Sequence, residues 1–115
     1  MKENLLVDLS RQFAVEIINS CEKIEKTMQS KVLLQQILRS GTSIGANIHE
    51  ANYGASKADF INKLQIALKE CYETEYWLRL LLDTKYINEE VYHSLYSKCS
   101  KIRKLLSASI NTAKS

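Results

Sequence analysis

The sequence contains no proline and only three glycines in 115 residues. Proline removes a backbone donor and clashes with the preceding turn, so its absence permits long uninterrupted helices. No apolar run approaches the 18 or more residues of a membrane span. Asp8 breaks the first apolar run too soon for the hydrophobic region of a signal peptide. No membrane association and a cytoplasmic location are therefore expected. Cys21, Cys71 and Cys99 are scattered and odd in number, with no C-x-x-C and no metal-ligand spacing. Each falls at an apolar helical position, where a thiol packs as a small hydrophobe.

Catalytic patterns are equally scarce. Di-iron bundles need Glu-x-x-His on two helices. The chain has only His49 and His93, and no glutamate stands three residues before His49. His49 and Glu50 are adjacent, which sets them about 100° apart on a helix. No Ser/His/Asp or Cys/His arrangement has a recognisable local motif. No catalytic residue, metal ligand or cofactor is assigned, and the chain is expected not to be an enzyme.

What is present is helical periodicity. Hydrophobic content of 45% with 25% charged residues is that of one globular domain, large enough to bury roughly two-thirds of its unfolded surface. Apolar side chains recur at three and four residues in four segments, approximately 5–28, 31–52, 57–85 and 89–112. Leu6, Leu9, Phe13, Ile17, Cys21, Ile24 and Met28 mark the first stripe. Leu34, Ile37, Gly41, Ile44 and Ile48 mark the second, with Ser30 as N-cap and Gly54 as stop. The third opens on Ser56-Lys-Ala-Asp59, a capping box with Asp in place of Glu. The fourth follows Asn88, with Glu89 and Glu90 at the positive end of the helix dipole and Ile87 and Tyr92 placed to form a hydrophobic staple. No segment has the alternation of a strand. The short connections predict an all-α, up-down-up-down antiparallel four-helix bundle.

All three glycines lie in residues 39–54, Arg-Ser-Gly-Thr-Ser-Ile-Gly-Ala-Asn-Ile-His-Glu-Ala-Asn-Tyr-Gly. Gly41 and Gly45 sit one turn apart in a helix, where each costs about 1 kcal/mol relative to alanine. Close helix packing is the expected return. This segment, with Lys-Glu-Cys-Tyr-Glu-Thr-Glu-Tyr-Trp-Leu at 69–78, resembles the four helix bundle protein family, also called the 23S rRNA intervening-sequence protein or S23-like family. The motifs are long and cover the two central helices densely. The resemblance implies a small bundle that assembles as a homopentamer in the cytoplasm, without known enzymatic activity. It also implies a link to nucleic acid or to nucleic-acid-processing proteins.

Several constellations carry the functional expectations. Arg39, Ser43, Asn47 and Glu50 form one polar stripe. On the third helix Glu70, Glu73 and Glu75 stand near Arg79, and Glu75 with Arg79 makes an i,i+4 pair. A partly buried network is expected to join the two central helices, or two subunits, and to specify register. Tyr72, Tyr76, Trp77, Tyr86, Tyr92 and Tyr96 cluster toward the second half, as cover over the bundle or as base-stacking platforms beside lysines. After Glu90 there is no carboxylate side chain, while Lys98, Lys101, Arg103, Lys104 and Lys114 follow. Lys98, Lys101, Arg103 and Lys104 form a ridge that is expected either to be simply solvated or to meet RNA or DNA phosphates. A scaffold that docks a protein partner, such as a nucleic-acid-processing enzyme, is the alternative.

Overall fold

The computed structural model describes residues 2–115, with side chains from Leu5 onward. They form four helices, α1 (Lys2–Glu22), α2 (Met28–Ala51), α3 (Lys57–Asp83) and α4 (Glu89–Lys114), and none of them lies in a strand. Each helix packs against two others in the cyclic order α1, α2, α3, α4, while the diagonal pairs stay apart. Short connections make each helix antiparallel to the one before it. The result is an up-down-up-down four-helix bundle measuring 45 × 23 × 19 Å.

One stripe per helix fills the core. Phe13 and Ile17 of α1, Ile37, Ile44 and Ile48 of α2, Ala67, Cys71 and Leu78 of α3, and Cys99, Ile102 and Leu106 of α4 are all buried. Each large aliphatic or aromatic side chain among them contributes about 1.5–3 kcal/mol by leaving water. The spacing of three and four along each segment is what brings them to one side.

The helix ends show where local chemistry departs from the simple pattern. α1 stops at Glu22, not at 28. The Lys23 and Ile24 amides turn back to Ser20 and Cys21 carbonyls at 3.3 and 3.1 Å. Lys26 then donates to the Cys21 and Ile24 carbonyls at 3.1 Å each, a cation on the negative end of the helix. This turn resets the helical phase. Met28 is consequently 88% exposed and opens α2 instead of ending the α1 stripe. The N-cap of α2 is Thr27 rather than Ser30. Thr27 accepts from the Ser30 amide at 3.0 Å, and Ser30 accepts from the Thr27 amide at 2.8 Å, so serine fills the acidic position of a capping box.

Ser56 and Asn88 cap α3 and α4 through the Asp59 and Val91 amides at 3.1 and 2.8 Å. α3 ends at Asp83 in a Schellman motif, with the Lys85 amide on the Leu82 carbonyl and the Tyr86 amide on that of Leu81, both at 2.9 Å. Lys85 takes the left-handed conformation there, φ 67°, a position glycine usually fills. Gly54, by contrast, has no positive φ. It does not stop α2 as a left-handed cap. A Cβ on it would lie 3.2 Å from Asp59 Cβ and 3.3 Å from the Ala51 carbonyl oxygen, so the crowded α2–α3 turn is what requires glycine.

Gly41 and Gly45 face α1. A Cβ at Gly41 would meet Ile17 Cγ2 and Cγ1 at 3.2 and 3.3 Å, and one at Gly45 would meet Ser10 Oγ at 3.2 Å. Ile17 is buried and its branched side chain has one strongly preferred helical rotamer, so it cannot yield. The Ser10 hydroxyl can rotate away from its long bond to the Val7 carbonyl, 3.2 Å. Gly41→Ala is therefore expected to lower stability by about 1 kcal/mol, overpacking outweighing the gain in helix propensity. Gly45→Ala is expected to be neutral or slightly stabilising. Urea unfolding of the two variants checks this, and the reverse order would remove the steric account.

Candidate nucleic-acid interface

The expected polar stripe on α2 divides into crossing and local contacts. Arg39 reaches α3, pairing with Glu70 at 3.3 Å and with Glu73. Trp77 Nε1 donates to Glu73 at 3.3 Å, which steadies the acceptor. Glu50 takes Lys63 of α3 at 2.9 Å. That hydrogen bond and charge hold its carboxyl below the usual carboxylate range. Asn47 instead turns back to the Ser43 carbonyl at 2.8 Å. Ser43 and Asn47 thus add no link across to α3.

A buried link lies one residue away from that stripe. Thr74 Oγ1 is 2.9 Å from Ser40 Oγ and 2.7 Å from the Glu70 carbonyl oxygen, and both side chains are fully buried. Thr74 has a single hydroxyl proton, so both contacts are satisfied when it bonds Glu70 and Ser40 donates to it. The signal existed in the sequence. Ser40 stands between Ile37 and Ile44 on the apolar stripe, and Thr74 between Cys71 and Leu78.

The α3–α4 seam corrects a second expectation. Glu75 does not pair with Arg79. Its carboxylate accepts from Arg103 Nε of α4 at 2.9 Å, with the two side chains only 10% and 21% exposed. Arg103 also donates to Ser100 Oγ at 3.0 Å and lies 5.2 Å from the Tyr72 ring centroid. Its charge is held more firmly by the Glu75 bond. Arg79 turns to Asp83 at 3.3 Å and lies 5.9 Å from the Tyr92 centroid.

The basic ridge is accordingly split. Arg103 is committed to Glu75, and Lys98 pairs with Glu16 of α1. Lys101 and Lys104 are exposed and make no ion pair among the described residues. With His93, Tyr96, Ser97, Ser100 and Leu105 they line a shallow, open groove between side chains of α4 alone, on its outer face. Tyr92 backs this groove. Its ring lies 5.5 Å from Tyr96 at 31° and 5.3 Å from His93 at 70°.

The buried thiols are not activated. Burial pushes the Cys21 thiol up to about 11. Cys99 is raised by its hydrogen bond with Cys71 and by burial. Both stay protonated near neutrality and are poor nucleophiles. Glu90 and His93 form one Glu-x-x-His at the start of α4, but no third ligand joins them. Among the described residues no group of three His, Cys, Asp or Glu is placed to hold a metal ion. No described helix is long and apolar enough to cross a membrane.

Comparisons with known proteins agree with this geometry. A family model described as 23S rRNA-intervening sequence protein matches residues 2–108. The crystal structure, at 1.70 Å resolution, of a protein with unknown function from the S23 ribosomal protein family of Bacteroides thetaiotaomicron VPI-5482 is similar throughout. It shares 52% identity with a TM-score of 0.92, covering 96% of this chain and 99% of that one. No curated protein matches the chain.

The Ser40–Thr74 pair gives a stability prediction. Thr74→Val leaves Ser40 with only a 3.5 Å contact to the Ile37 carbonyl and is expected to cost about 1–3 kcal/mol. Ser40→Ala leaves Thr74 its bond to Glu70 and is expected to cost less. The double variant is expected to fall short of additivity by at least about 0.5 kcal/mol in urea unfolding. Strict additivity would mean that the two hydroxyls do not act together.

Proposed function

The chain belongs to the 23S rRNA-intervening sequence protein family, and on that premise we propose that it is a non-enzymatic, ring-forming bundle whose fourth helix offers a basic surface to nucleic acid. The observation that carries this reading is the pair Lys101 and Lys104. They make no ion pair among the described residues and lie on an open face, while the neighbouring cations are paired within the bundle. Phosphate contact by such a pair carries no base sequence and weakens steeply with salt.

Assembly would strengthen the same reading. Val32 of α2 and Tyr76 of α3 are 58% and 57% exposed, side chains that a neighbouring subunit would cover at low entropic cost. A homopentamer would present five copies of the lysine pair, and linked weak sites raise avidity without any new contact. The same apolar side chains favour a second reading, in which they dock a partner such as a nucleic-acid-processing enzyme.

Light scattering of the purified chain is expected to give about 66 kDa, five times its 13.2 kDa. A mass of one chain would overturn the ring.

In a mobility-shift titration, binding is expected at about 50 mM salt and is expected to fall by orders of magnitude by about 200 mM. The Lys101→Glu/Lys104→Glu variant should lose it while keeping its fold and mass. Arg103→Glu should instead lower stability, because it leaves Glu75 facing a second carboxylate. An intact oligomer that binds no RNA or DNA at about 50 mM salt sinks the proposal.

A further inference from the structure

The groove on α4 holds more than charge. Tyr96 is half-buried, and its ring packs beside that of Tyr92, 5.5 Å away and tilted by 31°. Tyr92 itself is 8% exposed, with the Arg79 guanidinium 5.9 Å from its centroid. The ring that lines the groove is therefore packed on one side against a buried neighbour. Little further ordering is needed for another planar group to stack on it, and pre-organisation of this kind is what makes aromatic platforms effective.

The polar groups beside it are equally well placed. Ser100 accepts a hydrogen bond from Arg103 at 3.0 Å, which leaves its own proton available to an acceptor in the groove. Lys101 and Lys104 stand three residues apart on the same helix face. The two cations that would lengthen this face into a duplex-tracking ridge, Lys98 and Arg103, are held by Glu16 and Glu75. A duplex presents phosphates and keeps its bases stacked inside. It would meet only two free charges per chain and could not use the ring. A single strand can use both.

We infer that the groove takes single-stranded nucleic acid, with one unpaired base stacked on Tyr96 and the flanking phosphates on Lys101 and Lys104. This rests on the nucleic-acid reading above and narrows it to one strand form and one stacking residue.

Fluorescence anisotropy at about 50 mM salt tests it, using labelled single-stranded RNA, single-stranded DNA and the corresponding duplexes against the intact assembly. Either single strand is expected to bind about tenfold or more tightly than its duplex. Tyr96→Leu is expected to weaken single-strand binding about tenfold, whereas Tyr96→Phe, which keeps the ring, leaves it unchanged. Circular dichroism and light scattering establish that both variants keep helix content and mass. Should Tyr96→Leu not fold, the strand preference of the unmodified chain still decides. Equal affinity for single strands and duplexes, or equal binding by the Leu and Phe variants, overturns the stacking site while leaving phosphate binding intact. Failure of the unmodified chain to bind any of the probes overturns both.

Discussion

Each helix has to bury one stripe of side chains against a shared core, and that demand decides which surfaces remain for anything else. With Phe13, Ile37, Leu78 and Ile102 all turned inward, the rotation of every helix about its own axis is fixed. Two flanks of each helix then face neighbours, and one side faces solvent. Charges on a flank find partners across a seam. Charges on the solvent side do not. The pairing of Arg39 with Glu70, of Arg103 with Glu75 and of Lys98 with Glu16 follows from this placement.

The same geometry explains why a run of cations on α4 is not one continuous ridge. Lys98 lies toward α1 and Arg103 toward α3, whereas Lys104 falls between them on the open side and Lys101 borders both that side and the α1–α4 seam near Glu16. Exposed ion pairs contribute little, about 0–1 kcal/mol. The Arg103–Glu75 pair is better shielded, and its guanidinium is also engaged by Ser100 and Tyr72. Removing one member would strand a half-buried charge, a larger cost than losing a surface pair. The bundle thus uses part of its basic tail to join α3 to α4 and leaves the remainder exposed.

The helices and two of their N-caps were legible in the sequence because both depend on local spacing. Asn88 and Ser56 precede their stripes directly. Thr27 was not legible, because Ser30 is also a good cap and the break in phase at 23–27 leaves no apolar signature. Met28 continues the α1 period by number alone. Partners across seams were less legible still. Glu75 and Arg79 have favourable i,i+4 spacing, worth about 0.2–0.5 kcal/mol. The rotation of α3 points Glu75 at α4, where a shielded guanidinium competes successfully. No spacing rule reaches from residue 75 to residue 103. The buried hydroxyls of Ser40 and Thr74 were legible as polar breaks in apolar stripes, but their mutual contact requires the register of α2 on α3.

Cyclic packing also separates the two features that stand out in the sequence. The segment from Arg39 to Gly54 lies on α2 and in the turn after it, and α2 is the helix diagonal to α4. Its glycines are occupied in bringing α1 close, through Ile17 and Ser10. Its charged side chains are occupied with α3. The motif that carries the resemblance in the sequence is therefore architectural within the chain, and it does not reach the groove on α4. A groove that depends on two lysines and one backed ring has few contacts of its own. In the proposed ring its usefulness would follow from repetition: copies held at fixed spacing would keep a strand that leaves one groove concentrated near the next. On that proposal assembly and binding are one property, joined through the rigidity of the bundle between them.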